Sequence, residues 1–181
     1  MRLCAFLPLL LLPLAACDDG FTQEWVAIPD TIQLFSLSRP ELVGRPSAYD
    51  FVNHVPLAVE DLGATGQWDL ALIDQGGELA LMPASAFVGL VSRAGIATVT
   101  ARTLEEVEEA PRDTAAFKTT PVPIRVGTIY VVRTRRESCG FGTGVRYAKL
   151  EPLQIDLTQG TLLFRTILNP FCNDRRLIPP D

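Results

Sequence analysis

The chain has 181 residues, with 21 acidic against 16 basic side chains and a formal charge of −5 at neutral pH. This length fits one domain with a core that stands without extra staples. The acidic balance argues against nucleic acid or an anionic lipid surface as partner.

The N-terminus follows the three-part plan of a secretory signal. Arg2 supplies the positive charge, Leu3 to Leu14 form an apolar run broken only by Pro8 and Pro13, and the small Ala15 and Ala16 close it. The run is shorter than the ~20 residues a helix needs to cross a bilayer. Leu14-Ala15-Ala16-Cys17 resembles the lipobox of bacterial lipoproteins. That resemblance implies a diacylglyceryl group on the Cys17 thiol, cleavage before Cys17 and acylation of the new N-terminus. Two or three acyl chains hold a protein on a bilayer far more firmly than one. The protein is then expected in a bacterial cell envelope, facing the periplasm or the exterior. A core helix, or an ordinary signal cut elsewhere, is the other reading of this stretch. Asp18 and Asp19 follow; an Asp here resembles the enterobacterial inner-membrane signal, a rule that does not hold across phyla, so the membrane stays open. The expected division is a signal peptide over 1–16, a lipidated tether over 17–24 and a single β-rich domain over 25–181.

Cys4 leaves with the signal and Cys17 takes the lipid, so Cys139 and Cys172 remain. In an exported protein two such thiols are expected to form a disulfide. Closing that loop would stabilise the fold by roughly 3–4 kcal/mol in the chain-entropy model. A metal site or a redox pair is the rival reading, but the chain has no C-x-x-C motif.

From Trp25 to Leu37 the text turns apolar and β-like, with Pro29-Asp30 as a turn. Further strand candidates follow at Ala48–Val52, Val55–Glu60, Trp68–Ile73, Glu78–Met82, Ala86–Val91 and Ile96–Ala101. Gly63-Ala64-Thr65-Gly66 and Arg93-Ala94-Gly95 punctuate them, and Gln75-Gly76-Gly77 between two apolar runs is a hairpin signal. Many short runs between Gly and Pro turns predict a mainly β, antiparallel sandwich or barrel-like sheet.

Thr103 to Ala110 differs. Thr103 stands as a cap, Glu106 sits three residues on, Leu104 and Val107 share a face, and Pro111 stops the run. This predicts one short helix near 103–110. Its four Glu read as a solvated face. Arg112 to Arg125 reads as an extended connection. The remainder predicts a C-terminal meander: Thr128–Thr134, then Val145–Leu150 and Leu153–Leu157 as one strand bent at Pro152, then Thr161–Ile167. Cys139-Gly140-Phe141-Gly142-Thr143-Gly144 reads as a glycine-rich hairpin tip, without the Lys or the strand-then-helix setting of a phosphate-binding loop.

Hydrolytic triads need a nucleophile, a base and an orienting acid. His54 is the only histidine, Asp50 at i−4 is its one obvious partner, and no Ser lies in a G-x-S-x-G setting. The chain therefore reads as a non-enzyme, with no catalytic residues and no resident cofactor assigned.

Tyr49-Asp50-Phe51, Trp68-Asp69-Leu70-Ala71-Leu72, Gly76-Gly77, Tyr130-Val131-Val132-Arg133-Thr134, Tyr147-Ala148-Lys149-Leu150 and Gly160-Thr161-Leu162-Leu163-Phe164 come in an order that resembles the HmuY-like family of bacterial surface lipoproteins. The resemblance spans roughly residues 48 to 167. It implies a β-rich fold and, by analogy with characterised members, haem binding and delivery to an uptake receptor. Family members use pairs of axial His or Met ligands. Here only His54 and, once the signal is removed, Met82 remain, and neither matches a family ligand position. The leading expectation is a non-enzymatic, lipid-anchored binding or surface module. Its ligand site is sought around His54, Trp68 and Met82. The alternatives are a haem carrier and a structural accessory of an envelope complex. Expected partners are the membrane, through the lipid, and an envelope protein or a small apolar ligand.

Overall fold

The computed structural model describes residues 24–140 and 142–180. Cys17, the signal peptide and nearly all of the tether lie outside the described residues. In chain order the strands are β1 (Asp30–Phe35), β2 (Ala48–Asp50), β3 (Val55–Leu57), β4 (Leu70–Gln75), β5 (Glu78–Pro83), β6 (Gly95–Val99), β7 (Val122–Pro123), β8 (Ile129–Arg133), β9 (Glu137–Cys139), β10 (Gly142–Gly144), β11 (Tyr147–Asp156) and β12 (Thr161–Leu168). Two five-stranded antiparallel sheets pack as a sandwich. Sheet A runs β1-β12-β11-β8-β6 and sheet B runs β3-β2-β4-β5-β7, with β9 and β10 as a separate hairpin.

Alternation of apolar residues builds the layer between the sheets. Ile32 and Leu34 of β1, Leu70 and Leu72 of β4, Leu79 and Leu81 of β5, Tyr130 and Val132 of β8, and Leu162 and Phe164 of β12 all enter it. Tyr49 meets Phe51 and Phe164 edge-on, with ring centres 4.8 and 5.9 Å apart, a favoured aromatic geometry. Gly76 and Gly77 take φ of 66° and 88° between the paired Gln75 and Glu78. Positive φ at both positions makes the two-residue hairpin turn that such glycines favour. The predicted bend in the C-terminal meander is present: β11 shifts register against β12 between Pro152 and Gln154.

Two predicted elements are corrected. Residues 103–110 form a turn and an extended strap instead of a helix. The local cap bonds exist: Glu106 N–H donates to Thr103 Oγ1 at 3.4 Å and Arg102 N–H donates to Glu106 Oε2 at 2.9 Å. Two turns of helix are too short to stand alone in water, and better bonds lie elsewhere. Ala110 N–H donates to Arg175 O at 2.8 Å, and Leu177 N–H donates to Glu108 O at 2.7 Å. Lys149, itself buried, donates through Nζ to Val107 O at 3.1 Å. Leu104, Val107 and Ala110 are buried against Ala97, Val131 and Tyr147 on the outer face of sheet A, with Leu177 of the tail beside them. Ala86–Val91 is not a strand either. It follows a 3₁₀ turn at Ala84–Ala86 and crosses the outer face of sheet B as a loop. Phe87 and Leu90 pack inward, while Val88 and Val91 are exposed.

Candidate functional site

Residues 67–69, just before β4, set up the site. Asp69 N–H donates to Tyr49 O at 3.0 Å, and Ala84 N–H donates to Asp69 O at 2.9 Å. This bend parts neighbours that a straight strand would align. Leu70 and Leu72 enter the layer between the sheets, whereas Trp68 joins Ala48, Ala71 and Ala84 on the outer face of sheet B. The small alanines leave room for the indole, which meets Phe87 edge-on at 5.6 Å.

Asp69 is fully buried. Its Oδ2 accepts from Phe51 N–H at 2.9 Å and its Oδ1 from Arg135 N–H at 2.6 Å. Arg135, just beyond β8, clamps two carboxylates. Its Nη1 donates to Asp69 Oδ2 at 3.1 Å and to Asp50 Oδ1 at 2.8 Å, and its Nη2 donates to Asp50 Oδ2 at 3.0 Å. The clamp ties the end of sheet A to sheet B. Burial pushes the Asp69 carboxyl up to about 6, against the pull of the Arg135 charge and of the N–H groups of Arg135 and Phe51. Asp50 also accepts from Asn53 N–H and Nδ2–H at 3.1 and 2.7 Å. It is thus committed to Arg135 and the turn rather than to His54.

Above the clamp a cleft of about 440 Å³ opens, lined by Gly66, Trp68, Ala84, Leu90, Val91, Ser92, Arg93, Arg135 and Arg136. Its lining combines apolar side chains with three arginines, the mixture expected of a small-molecule site. Arg93 and Arg136 also line a second, more polar cleft of about 210 Å³.

Of the residues singled out from sequence, Trp68 lines the larger cleft. Met82 is partly buried behind it in the same apolar cluster. His54 is exposed in the turn between β2 and β3, at a φ of 57°. Neither Met82 nor His54 is among the lining residues. Cys139 and Cys172 form the disulfide, with Cα atoms 6.0 Å apart, and so tie the β9–β10 hairpin to the tail. Glu137 lies beside the two sulfurs, but it is paired with Arg146 Nε at 2.6 Å. With both sulfurs in the disulfide, neither is a thiolate that could bind a metal.

From sequence Asp50 reads only as a partner for His54, and Asp69 and the arginines carry no site role. The signal available was Arg133-Thr134-Arg135-Arg136, three cations in four residues at the end of a strand. No protein-family model matches the chain, and no curated protein is similar to it.

Proposed function

We propose that this protein is a lipid-anchored, non-enzymatic binding module of a bacterial envelope, attached through Cys17, and that the cleft over Trp68 receives its ligand. The observation that carries this reading is the build of the cleft. Apolar Trp68, Ala84, Leu90 and Val91 and the cationic residues Arg93, Arg135 and Arg136 together line a cleft of about 440 Å³. Such a site suits an amphipathic ligand, with an apolar body against the indole side and an acidic group toward the arginines. The lipobox and the HmuY-like order of motifs support an envelope carrier. Because neither His54 nor Met82 lines the cleft, the ligand is taken up without axial ligation of iron.

The test uses anilinonaphthalene sulfonate, an aromatic sulfonate, with Trp25→Phe as background so that Trp68 is the sole tryptophan reporter. Saturable quenching of Trp68 that Leu90→Asp abolishes is expected. Absence of saturable binding would remove the cleft as the site. Haemin added in parallel is expected to give no ligated Soret band; a band lost in Met82→Ala would instead establish the haem carrier. For the anchor, labelled palmitate should enter the wild-type chain and not Cys17→Ser.

A further inference from the structure

Arg133 closes β8 between two neighbours, Gly95 on β6 and Tyr147 on β11. Its side chain lies on the outer face of sheet A, where three features hold it. The guanidinium carbon sits 5.0 Å from the centre of the Phe117 ring, within cation–π range. Nε donates to Arg93 O at 2.9 Å. Gly95 opposite leaves the space: a Cβ there would stand 3.4 Å from Arg133 Nη2 and 3.1 Å from Phe117 Cβ. Arg133 is thus half-buried and held in place, and it lines the 210 Å³ cleft.

Its charge is uncompensated. Arg135, two residues on, meets Asp50 and Asp69, and Arg146 meets Glu137. Among the described residues no carboxylate lies within ion-pair distance of Arg133, Arg93 or Arg136. Glu137, next to Arg136 in sequence, is paired with Arg146 Nε at 2.6 Å, and Asp113, beside the lining Thr114, accepts from Ala115 N–H at 2.8 Å. Arginine does not shed its proton in a protein, so a half-buried, unpaired guanidinium calls for an anion. The rest of the cleft adds donors. Asn173 Oδ1 accepts from Val145 N–H at 3.2 Å, which leaves the Nδ2 group of that amide as donor. Thr114, Thr143 and Tyr147 add hydroxyls. The Asn173 wall is built for close contact: a Cβ on Gly144 would come within 2.7 Å of Asn173 Nδ2 and 2.8 Å of Cys139 Sγ. The disulfide therefore pins this wall.

We propose that Arg133, with Arg93, Arg136 and Asn173, forms a receptor for a phosphate monoester. That group brings up to two negative charges and three terminal oxygens to a cleft rich in donors and free of carboxylates, and guanidinium forks match phosphate oxygens in pairs. The two clefts share Arg93 and Arg136, but Arg133 and Asn173 belong to the smaller one alone, and the proposal needs neither the amphipathic ligand nor the lipid.

The experiment is calorimetric titration of the full chain in detergent with glucose 6-phosphate, and in the same detergent with short-chain phosphatidic acid and short-chain phosphatidylcholine, so that the chain's own lipid does not set the readout. Glucose 6-phosphate binding in solution assigns the phosphate to a soluble ester. Binding of short-chain phosphatidic acid, without binding of phosphatidylcholine, assigns it to a lipid headgroup. Arg133→Gln should weaken either interaction by roughly tenfold or more, as loss of a charged hydrogen-bond pair does. Arg133→Lys should fall between, and Arg125→Gln, which removes the same charge elsewhere, should bind as wild type. If Arg133→Gln fails to fold, the exposed pair Arg93→Gln/Arg136→Gln carries the same expectation. Binding by neither probe, equal losses in Arg133→Gln and Arg125→Gln, or succinate binding as tightly as glucose 6-phosphate would overturn the proposal. Loss of dye binding at Trp68 with phosphate binding intact would sink only the reading of the larger cleft.

Discussion

The outer face of sheet A is closed by chain that bonds to chain from far away, whereas the outer face of sheet B is covered by loops that bond mainly to themselves. Over sheet A, the 103–110 strap exchanges backbone hydrogen bonds with Arg175 and Leu177, and Lys149 reaches Val107 O at 3.1 Å from below. Over sheet B, Phe87 N–H returns to Ala84 O at 3.2 Å and Leu90 N–H to Phe87 O at 3.1 Å. Ser85 Oγ donates to Ala94 O at 2.8 Å within the same loop. Long-range backbone bonds make a seal, because opening one segment strips partners from another. Self-contained loops leave seams, and the Trp68 cleft opens in one. Arg135, held by Asp50 and Asp69, and Arg133, which donates to Arg93 O, are long-range ties on that side.

Removing the Arg135 tie should have the largest effect. Asp69→Ala leaves the N–H groups of Phe51 and Arg135 without their carboxylate and breaks a buried ion pair. The expected loss is about 3–5 kcal/mol, read from urea unfolding. Hydrogen exchange at Phe51 N–H should accelerate while Ala110 N–H keeps its protection; equal acceleration at both would show that the two faces are not independent. Leu104→Ala attacks the sealed face. Leu104 is wholly buried, so about 3–4 kcal/mol is expected. Exchange at Ala110 and Leu177 N–H should now accelerate and Phe51 N–H should not.

The sequence carried the sheets well and the covering layers poorly, for a physical reason. Gly76-Gly77 and Pro152 act locally, so a hairpin and a bend could be placed from neighbours alone. The expected partnership of Cys139 and Cys172 is present as a disulfide. The 103–110 segment misled because Leu104, Val107 and Ala110 are buried at every third residue, which mimics a helical face. Its fate was decided by Lys149 and by Leu177 of the tail, which no local window contains. The site suffered from the same distance. Arg133, Arg135 and Arg136 are visible as a run, yet Arg135 finds its carboxylates 66 and 85 residues away. Nothing in the run distinguishes the paired arginine from the unpaired one.

The smallest effect concerns acid, and its sign separates the buried tie from the surface pairs. Burial raises Asp69 to about 6 in the folded protein, whereas an unfolded Asp titrates near ~3.9. Between those values the folded chain keeps a proton that the unfolded chain has released, so stability rises as pH falls from 6 toward 4. The gain is bounded by about 3 kcal/mol, two units at roughly 1.4 kcal/mol each. Ordinary paired carboxylates act in the opposite sense. Hydrogen bonds to its own backbone N–H and from Thr103, with the Arg165 charge, hold Glu105 below its usual range; Arg175 and Arg112 do so for Glu109. Their stabilising contributions are present above the unfolded glutamate value and lost as pH falls below it. The window from 6 to 4 therefore belongs mainly to Asp69. Urea midpoints at pH 7, 6 and 5 should rise on acidification in the wild type relative to Asp69→Asn, whose amide does not titrate. Parallel midpoints in the two proteins would mean that Asp69 stays ionised through this range, held by Arg135 as firmly as a surface pair holds its carboxylate.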